Sequence, residues 1–508
     1  MGEVTWTPEQ ERAITFRGGA AIVSAAAGSG KTAVLVERVK RLILDEKDPV
    51  NADAMVISTF TNEAASELKE RLAKAIDDEM KKDPGNKRLL EQRLRLEDAH
   101  ISTISSFCLN ILRRSSTLTG LQPGFGVLDE SEARLIYNES LNTVMEDFCE
   151  NGDPAERDRV FDWFAGETDK RITDAVDTLY RFSRSLPDAD TFFDDQLSLF
   201  RSPVEASKSG SKAADRFFRR SVLGTVHALQ ELYGKVLTVT AGTPGERYAV
   251  QLGAICGEAE KITDENSCTE VYDGFLRDTD MPACPRKSKN YDNSAVRELH
   301  ELIKPVFARL KLNAGLFARR KSDLAACEPI LGTLISLVRK TEAEYSSRKR
   351  DKNRVDFNDI ELMTLKLLRG GNGVRSEAAE DIAKDIKVII VDEFQDSNEI
   401  QYEIFRLLSD DRKNLFFVGD IKQSIYRFRG ADPLVFSRLT KDPDFTVIPL
   451  NRNFRSCDQV IDSVNGIFNG TMTEELGDVD YNESCALVRG TAFDTDDDLN
   501  RTELITFS

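Results

Sequence analysis

The chain has 508 residues, a formal net charge of −18, 40% hydrophobic and 31% charged residues, a composition for a soluble protein of about three or four domains without a membrane span. The acidic balance argues against nucleic-acid binding by the whole surface and leaves room for a local basic and aromatic channel. Eight cysteines without a Cys-x-x-Cys pair, only three histidines and no signal-peptide layout disfavour metal clusters and disulfides, so the cysteines read as buried small apolar residues in a reducing compartment.

Residues 22–36 are the first informative stretch: an apolar strand, a small-residue loop ending in Gly28-Ser29-Gly30-Lys31-Thr32, and an apolar-periodic helix running to about Leu44. A nucleoside triphosphate is held by this arrangement. Glycines let backbone N–H groups wrap the phosphates, the helix N-terminus adds a favourable dipole, Lys31 reaches the terminal oxygens, and Thr32 can hold Mg²⁺. Ala25 stands where the general pattern has Gly. A second strand follows at residues 55–59, then a helix from Asn62 to about Asp78 with Ala64, Leu68, Leu72 and Ile76 on one face. Residues 100–112 add a further strand and helix. From 113 to about 350 the pattern is helical, with a loop near 280–293 that carries Arg286-Lys287-Ser288-Lys289.

Parallel α/β signals return near Val355. Val388-Ile389-Ile390-Val391 is fully apolar, as in the centre of a parallel sheet. It runs into Asp392-Glu393, which places two carboxylates at the strand's C-terminal end, where ligands bind in open sheets. Asp392 suits Mg²⁺ and Glu393 suits polarising the attacking water; an isolated acidic turn would look the same. Leu415-Phe416-Phe417-Val418 is a further strand, followed by Gln423, placed to sense a γ-phosphate. Tyr426, Phe428 and Arg429 then alternate rings with cations, which suits single-stranded nucleic acid, although by themselves the rings fit core packing equally well. A strand at 446–450 is expected to open a further domain. After it come Arg452, Phe454 and Arg455, and an arginine here can stabilise charge on a transferring phosphoryl group.

Taken in order, these segments resemble the superfamily 1 helicases of the UvrD/Rep/PcrA type and, more closely, the AddA family of ATP-dependent helicase/nucleases, relatives of RecB. Thr7-Pro8-Glu9-Gln10 resembles the Q motif, which implies that Gln10 reads adenine. Positions 24–32, including Ala25, Gly28, Ser29 and Gly30, resemble motif I. Phe60, Thr61 and Asn62 fall in motif Ia and Thr103 in motif Ib, which implies DNA contacts. Ser105 stands where the family usually has His. Val355-Asp356-Phe357-Asn358-Asp359 resembles the segment before motif II. Motifs II and III carry Asp392, Glu393 and Gln423, and motif IV implies that Phe454 stacks on adenine and Arg455 is the arginine finger.

The resemblance implies an α/β, RecA-like P-loop fold: residues 1–112 and 351–443 as two halves of one motor domain, 113–350 as a helical insertion, and 444–508 as the start of a second RecA-like domain. It implies ATP and Mg²⁺ as ligands. The implied partners are single- and double-stranded DNA and a second, AddB-like subunit, with no membrane and a bacterial cytoplasm. Nothing after Ser456 resembles motifs V or VI and no nuclease motif is present, so an N-terminal portion of a longer protein is expected. Three functions stay open. They are a 3′-to-5′ helicase/nuclease motor in recombinational double-strand break repair, a module that binds ATP and DNA without unwinding, and a UvrD-like repair helicase without nuclease.

Overall fold

Six short strands form one parallel sheet in a computed structural model that describes residues 5–164, 170–201, 211–262, 269–425, 431–473, 481–482 and 485–490. In chain order the elements that build it are α1 (Pro8–Thr15), β1 (Ala20–Ala25), α2 (Lys31–Leu44), β2 (Met55–Thr59), α3 (Asn62–Lys82), β3 (His100–Thr103) and α4 (Ile104–Arg114). After the helical insertion come α5 (Phe357–Leu368), β4 (Val388–Val391), α6 (Glu399–Leu408), β5 (Leu415–Gly419), α7 (Pro433–Thr440), β6 (Phe445–Leu450) and α8 (Asp458–Thr471). The spatial order is β3-β2-β4-β5-β1-β6, every pairing parallel.

Both faces of this sheet are covered, which explains the unbroken apolar strands. Ile22, Ile389, Val391 and Phe417 pack on one face with Phe107 of α4, Ile360 of α5 and Phe405 of α6. Ala21, Val23, Ile390 and Val418 pack on the other with Leu35 of α2 and Leu68 and Leu72 of α3. Alternation along each strand sends successive side chains to opposite cores.

Three expectations are corrected. The strand at 446–450 does not open a new sheet: β6 pairs with β1 from Ala20↔Phe445 to Ala25↔Leu450 and completes the first one. Helix α3 runs on to Lys82, and its buried face is Ala65, Leu68, Leu72 and Ile76, with Ala64 exposed. The Thr61 cap sets that register, because its hydroxyl accepts from Ala64 N and turns residue 64 outward. Among the described cysteines only Cys108 and Cys256 are buried, the other five being half-buried and all free.

The described residues fall into two compact units, one drawn from Met1–Asn142, Thr178–Pro187 and Thr341–Ser508, the other from Thr143–Asp177 and Asp188–Lys340. The helical unit is therefore smaller than residues 113–350. Its core gathers Val222, Leu229, Leu252, Ile255, Ile303 and Phe307, and residues 282–287 within it are neither helix nor strand. Segments flanking it belong to the first unit for a polar reason. Lys349, 2% exposed, donates to Asp356 (2.8 Å) and Asp359 (2.5 Å), and Arg184 donates to Asp359 (2.7 Å). Tyr137, Tyr180 and Tyr345 stack beside this cluster. Val355-Asp356-Phe357-Asn358-Asp359 is thus a buried ion-paired anchor, with Asp356 also capping α5. Removing one member of a buried ion cluster costs about 3–5 kcal/mol, because the remaining charges lose their partner. Lys349→Met is expected to lower the unfolding free energy of this unit by about that amount, read from urea unfolding; a change below about 1 kcal/mol would show that the cluster contributes little.

Candidate nucleotide site

The loop between β1 and α2 is shaped by two glycines. Gly28 and Gly30 have φ of 73° and 82°, a region that other residues adopt only at a cost. A Cβ on Gly28 would also sit 2.8 Å from Asn453 Oδ1 and 2.9 Å from Arg455 Cβ. Gly30 is the N-cap of α2 and supplies no capping side chain, whereas Thr7, Thr61 and Thr103 cap α1, α3 and α4 with their hydroxyls. The first-turn N–H groups of α2 therefore lie at the positive end of the helix without a side-chain acceptor. Ser29 Oγ is buried with no hydrogen-bond partner among the described residues. Ala25 needs no glycine freedom because it is the last residue of β1, fully buried and paired with Leu450.

Lys31 is the first residue of α2. Its Nζ lies 3.1 Å from both carboxylate oxygens of Glu393, 362 positions away in the chain. Thr32 follows it in the first helical turn. Asp392 and Glu393 emerge where β4 ends, and Asp392 N donates to Ser58 O of β2 (2.8 Å). Glu393 has φ of 52°, strain that an L residue keeps only when its surroundings hold it. Its own N–H donates to Asp392 Oδ1 (2.9 Å). Burial, then the adjacent Glu393 charge, pushes the Asp392 carboxyl up to about 6, with Lys31 opposing. Burial and Glu393 likewise push Asp396 up to about 6. Such carboxyls are short of positive charge. With the orphaned hydroxyl of Ser29, this donor set fits a divalent cation and phosphate oxygens.

Gln423 does not meet Lys31 directly. Its Nε2 donates to Asp420 Oδ2 (2.9 Å), and Lys422 pairs with the same carboxylate (2.8 Å). Asp420 N donates to Gln395 Oε1 (2.9 Å), and Gln395 Nε2 donates to Glu393 Oε2 (2.8 Å). A chain of hydrogen bonds therefore joins Gln423 to Lys31. Nothing in the sequence singles out Gln395 and Asp420, because a glutamine or aspartate among acidic turn residues reads as a solvated turn.

Gln10 sits beside the loop through two bonds. Its Oε1 accepts from Thr7 N (3.0 Å) in a capping box, and its Nε2 donates to Ser29 O (3.0 Å). One hydrogen and one lone pair of the amide remain for a ligand. Arg38 holds the helix that carries Gln10: its Nη1 donates to the carbonyls of Ala13, Ile14 and Phe16 at the end of α1, and its guanidinium lies 3.9 Å from the Phe416 ring centroid. The segment after β6 folds over the same loop. Ala26 N donates to Leu450 O and Phe454 N to Gly28 O, both 2.9 Å. Asn453, 3% exposed, accepts from the N–H groups of Arg455 and Ser456 (2.8 Å each). It is a further residue that the sequence does not flag; its one signal is an asparagine two before Arg455, able to close an Asx turn. Gln10, Ser29, Asn451, Arg452 and Phe454 line one crevice, so both residues expected on adenine border it, and Arg455 stands exposed beside Gly28.

The residues expected on DNA lie at the same end of the sheet. Thr59 and Thr103 are register partners at the ends of β2 and β3. Phe60 is half-buried, Thr61 and Asn62 are exposed, and the Thr61 and Thr103 hydroxyls are engaged as helix caps. Ser105 donates to Glu361 (2.9 Å), which also accepts from Gln401. Tyr426, Phe428 and Arg429 lie outside the described residues. No helix among the described residues is long and apolar enough to cross a membrane.

Comparison with known proteins agrees with this arrangement. Residues 6–444 match the UvrD/REP helicase N-terminal domain. The chain is 34% identical to the A subunit of an ATP-dependent helicase/nuclease of Exiguobacterium sibiricum, over 96% of this chain and 42% of that protein. It is 33% identical to the protein of that name from Bacillus velezensis (98% and 42%) and 35% to that from Carboxydothermus hydrogenoformans (96% and 41%). It thus spans about two fifths of the length of these relatives. With a phosphate loop at the end of β1, acids at the end of β4 and a family match over most of its length, the chain belongs to the UvrD/REP helicase N-terminal domain family, with a RecA-like P-loop fold.

Proposed function

We propose that this chain is the ATP-hydrolysing region of a 3′-to-5′ DNA helicase that acts, within the larger polypeptide of an AddA-type helicase/nuclease, in double-strand break repair by homologous recombination. The observation that carries the reading is the contact of Lys31, from the phosphate loop, with Glu393, from the acidic end of β4. A loop that binds phosphate and a carboxylate that can polarise water share one site.

In this reading the uncapped N–H groups of α2 and Lys31 hold the β- and γ-phosphates. Thr32 and Asp392 hold Mg²⁺, which neutralises charge on the phosphates when bound. Glu393 orients and deprotonates the attacking water. Gln10 and Phe454 hold the base, Arg455 stabilises charge on the transferring group, and Gln423 senses the γ-phosphate. Phe60, Thr61, Asn62 and Thr103, with Tyr426, Phe428 and Arg429, contact single-stranded DNA. The names of the relatives support a second, AddB-like protein as partner and a bacterial cytoplasmic setting.

Because the chain spans about two fifths of its relatives, it is expected to bind and hydrolyse ATP without unwinding DNA by itself. ATP hydrolysis with and without oligo(dT), beside strand displacement on 3′-tailed and 5′-tailed duplexes, tests this. Hydrolysis stimulated several-fold by oligo(dT), with no displacement by the 508-residue chain and displacement only of 3′-tailed duplex by the longer polypeptide, is the expected outcome. Robust unwinding by this chain alone would reject the view that it is a partial motor. No effect of oligo(dT) on hydrolysis would reject the DNA role.

A further inference from the structure

Gln395 joins the two halves of the acidic site. It is 1% exposed, and its surroundings fix the orientation of its amide. Two carboxylates lie on one side, so the NH₂ group faces Glu393 Oε2 (2.8 Å) and Asp396 Oδ2 (3.4 Å). A backbone N–H lies on the other, so the oxygen faces Asp420 N (2.9 Å). The backbone carbonyl of Gln395 accepts from Ser424 Oγ (3.2 Å). Gly419 leaves the space that this amide fills, since a Cβ there would overlap Gln395 Oε1 and come within 3.0 Å of the Phe436 ring.

Among the described residues Glu393 has two side-chain donors, Lys31 and Gln395. A phosphate at the loop competes for the hydrogens of Lys31, whereas nothing about phosphate binding draws on Gln395. The orientation of Glu393 while Lys31 serves a phosphate is then set by Gln395. That residue is in turn held by loop 420–424, which leads into the segment proposed to contact DNA.

We propose that Gln395 is a positioning residue that sets the carboxylate of Glu393 according to the place of loop 420–424, so that a shift of this loop changes the rate of hydrolysis without changing nucleotide affinity. This rests on the ATP-hydrolysis reading above. The geometry implies a specific asymmetry. Gln395→Glu keeps the length of the side chain and its acceptor for Asp420 N, and replaces only the donor that faces Glu393. Gly419→Ala pushes on the same amide from the opposite side.

Steady-state ATP hydrolysis at saturating oligo(dT), with thermal unfolding of each variant, tests the proposal. Gln395→Glu is expected to lower kcat at least about 10-fold with KM for ATP within about 2-fold of the parent, the pattern of an interaction that acts on the chemical step. Gly419→Ala is expected to shift kcat in the same direction with KM held. Full kcat in both variants, or kcat and KM failing together with a fallen unfolding midpoint, would overturn the role of Gln395 and leave the site reading intact. Turnover that Lys31→Ala leaves unchanged, zero included, would sink the site reading itself, and the role of Gln395 with it.

Discussion

Lys31→Ala is expected to lower ATP turnover by about 10²–10³-fold, the usual cost of removing one pre-positioned donor from charge that develops in a transition state. Ground-state affinity should fall as well, because a charge-assisted hydrogen bond to a phosphate contributes about 1.5–3 kcal/mol. The fold should survive. Lys31 and Glu393 have side chains 15% and 36% exposed, so Glu393 can turn to water when its partner is lost, and Gln395 still donates to it. Phosphate release and thermal unfolding, measured on the same preparation, separate the two effects. Normal turnover in Lys31→Ala would place the chemistry elsewhere in the molecule.

Glu393→Gln is expected to divide binding from hydrolysis. The substituted amide keeps its size and can still accept from Gln395, but it cannot take a proton from water. Loss of a general base typically costs about 10²–10⁴-fold. Nucleotide affinity should stay the same or rise, since the ion pair that competes with phosphate for Lys31 is gone. A fluorescent ATP analogue gives the affinity, and single-turnover hydrolysis gives the rate. Weakened binding together with an unchanged rate would reverse the roles assigned to Glu393 and Lys31.

The parts of this site that a reader of the sequence can find are those in which a local pattern forces a local geometry. Gly28 and Gly30 need left-handed backbone, and Lys31 then opens an amphipathic helix. Val388-Ile389-Ile390-Val391 is apolar at every position because both of its faces are buried, so Asp392 and Glu393 had to emerge at its end. Strand β6 was legible as a strand but not as a member of this sheet. Its partner, β1, lies more than 400 positions earlier in the chain, and only Phe445, Ile448 and Leu450 of β6 are buried. A half-buried strand does not announce its neighbour. Gln395, Asp420 and Asn453 escaped notice because polar residues in turns are ordinary, and their importance comes from long-range partners at Glu393 and Gly28. Arg38 escaped for the opposite reason: an arginine on a helix reads as solvated, yet this one is buried against Phe416 and the end of α1.

The central claim is that residues from the two ends of this unit close on one Mg-nucleotide. A crystal structure of the chain with Mg²⁺ and a non-hydrolysable ATP analogue measures it most directly. The account predicts the γ-phosphate within hydrogen-bond distance of Lys31 Nζ, the cation against Thr32 and Asp392, and the base in the crevice of Gln10 and Phe454. An analogue bound away from the loop, with Lys31 still paired to Glu393, would contradict it.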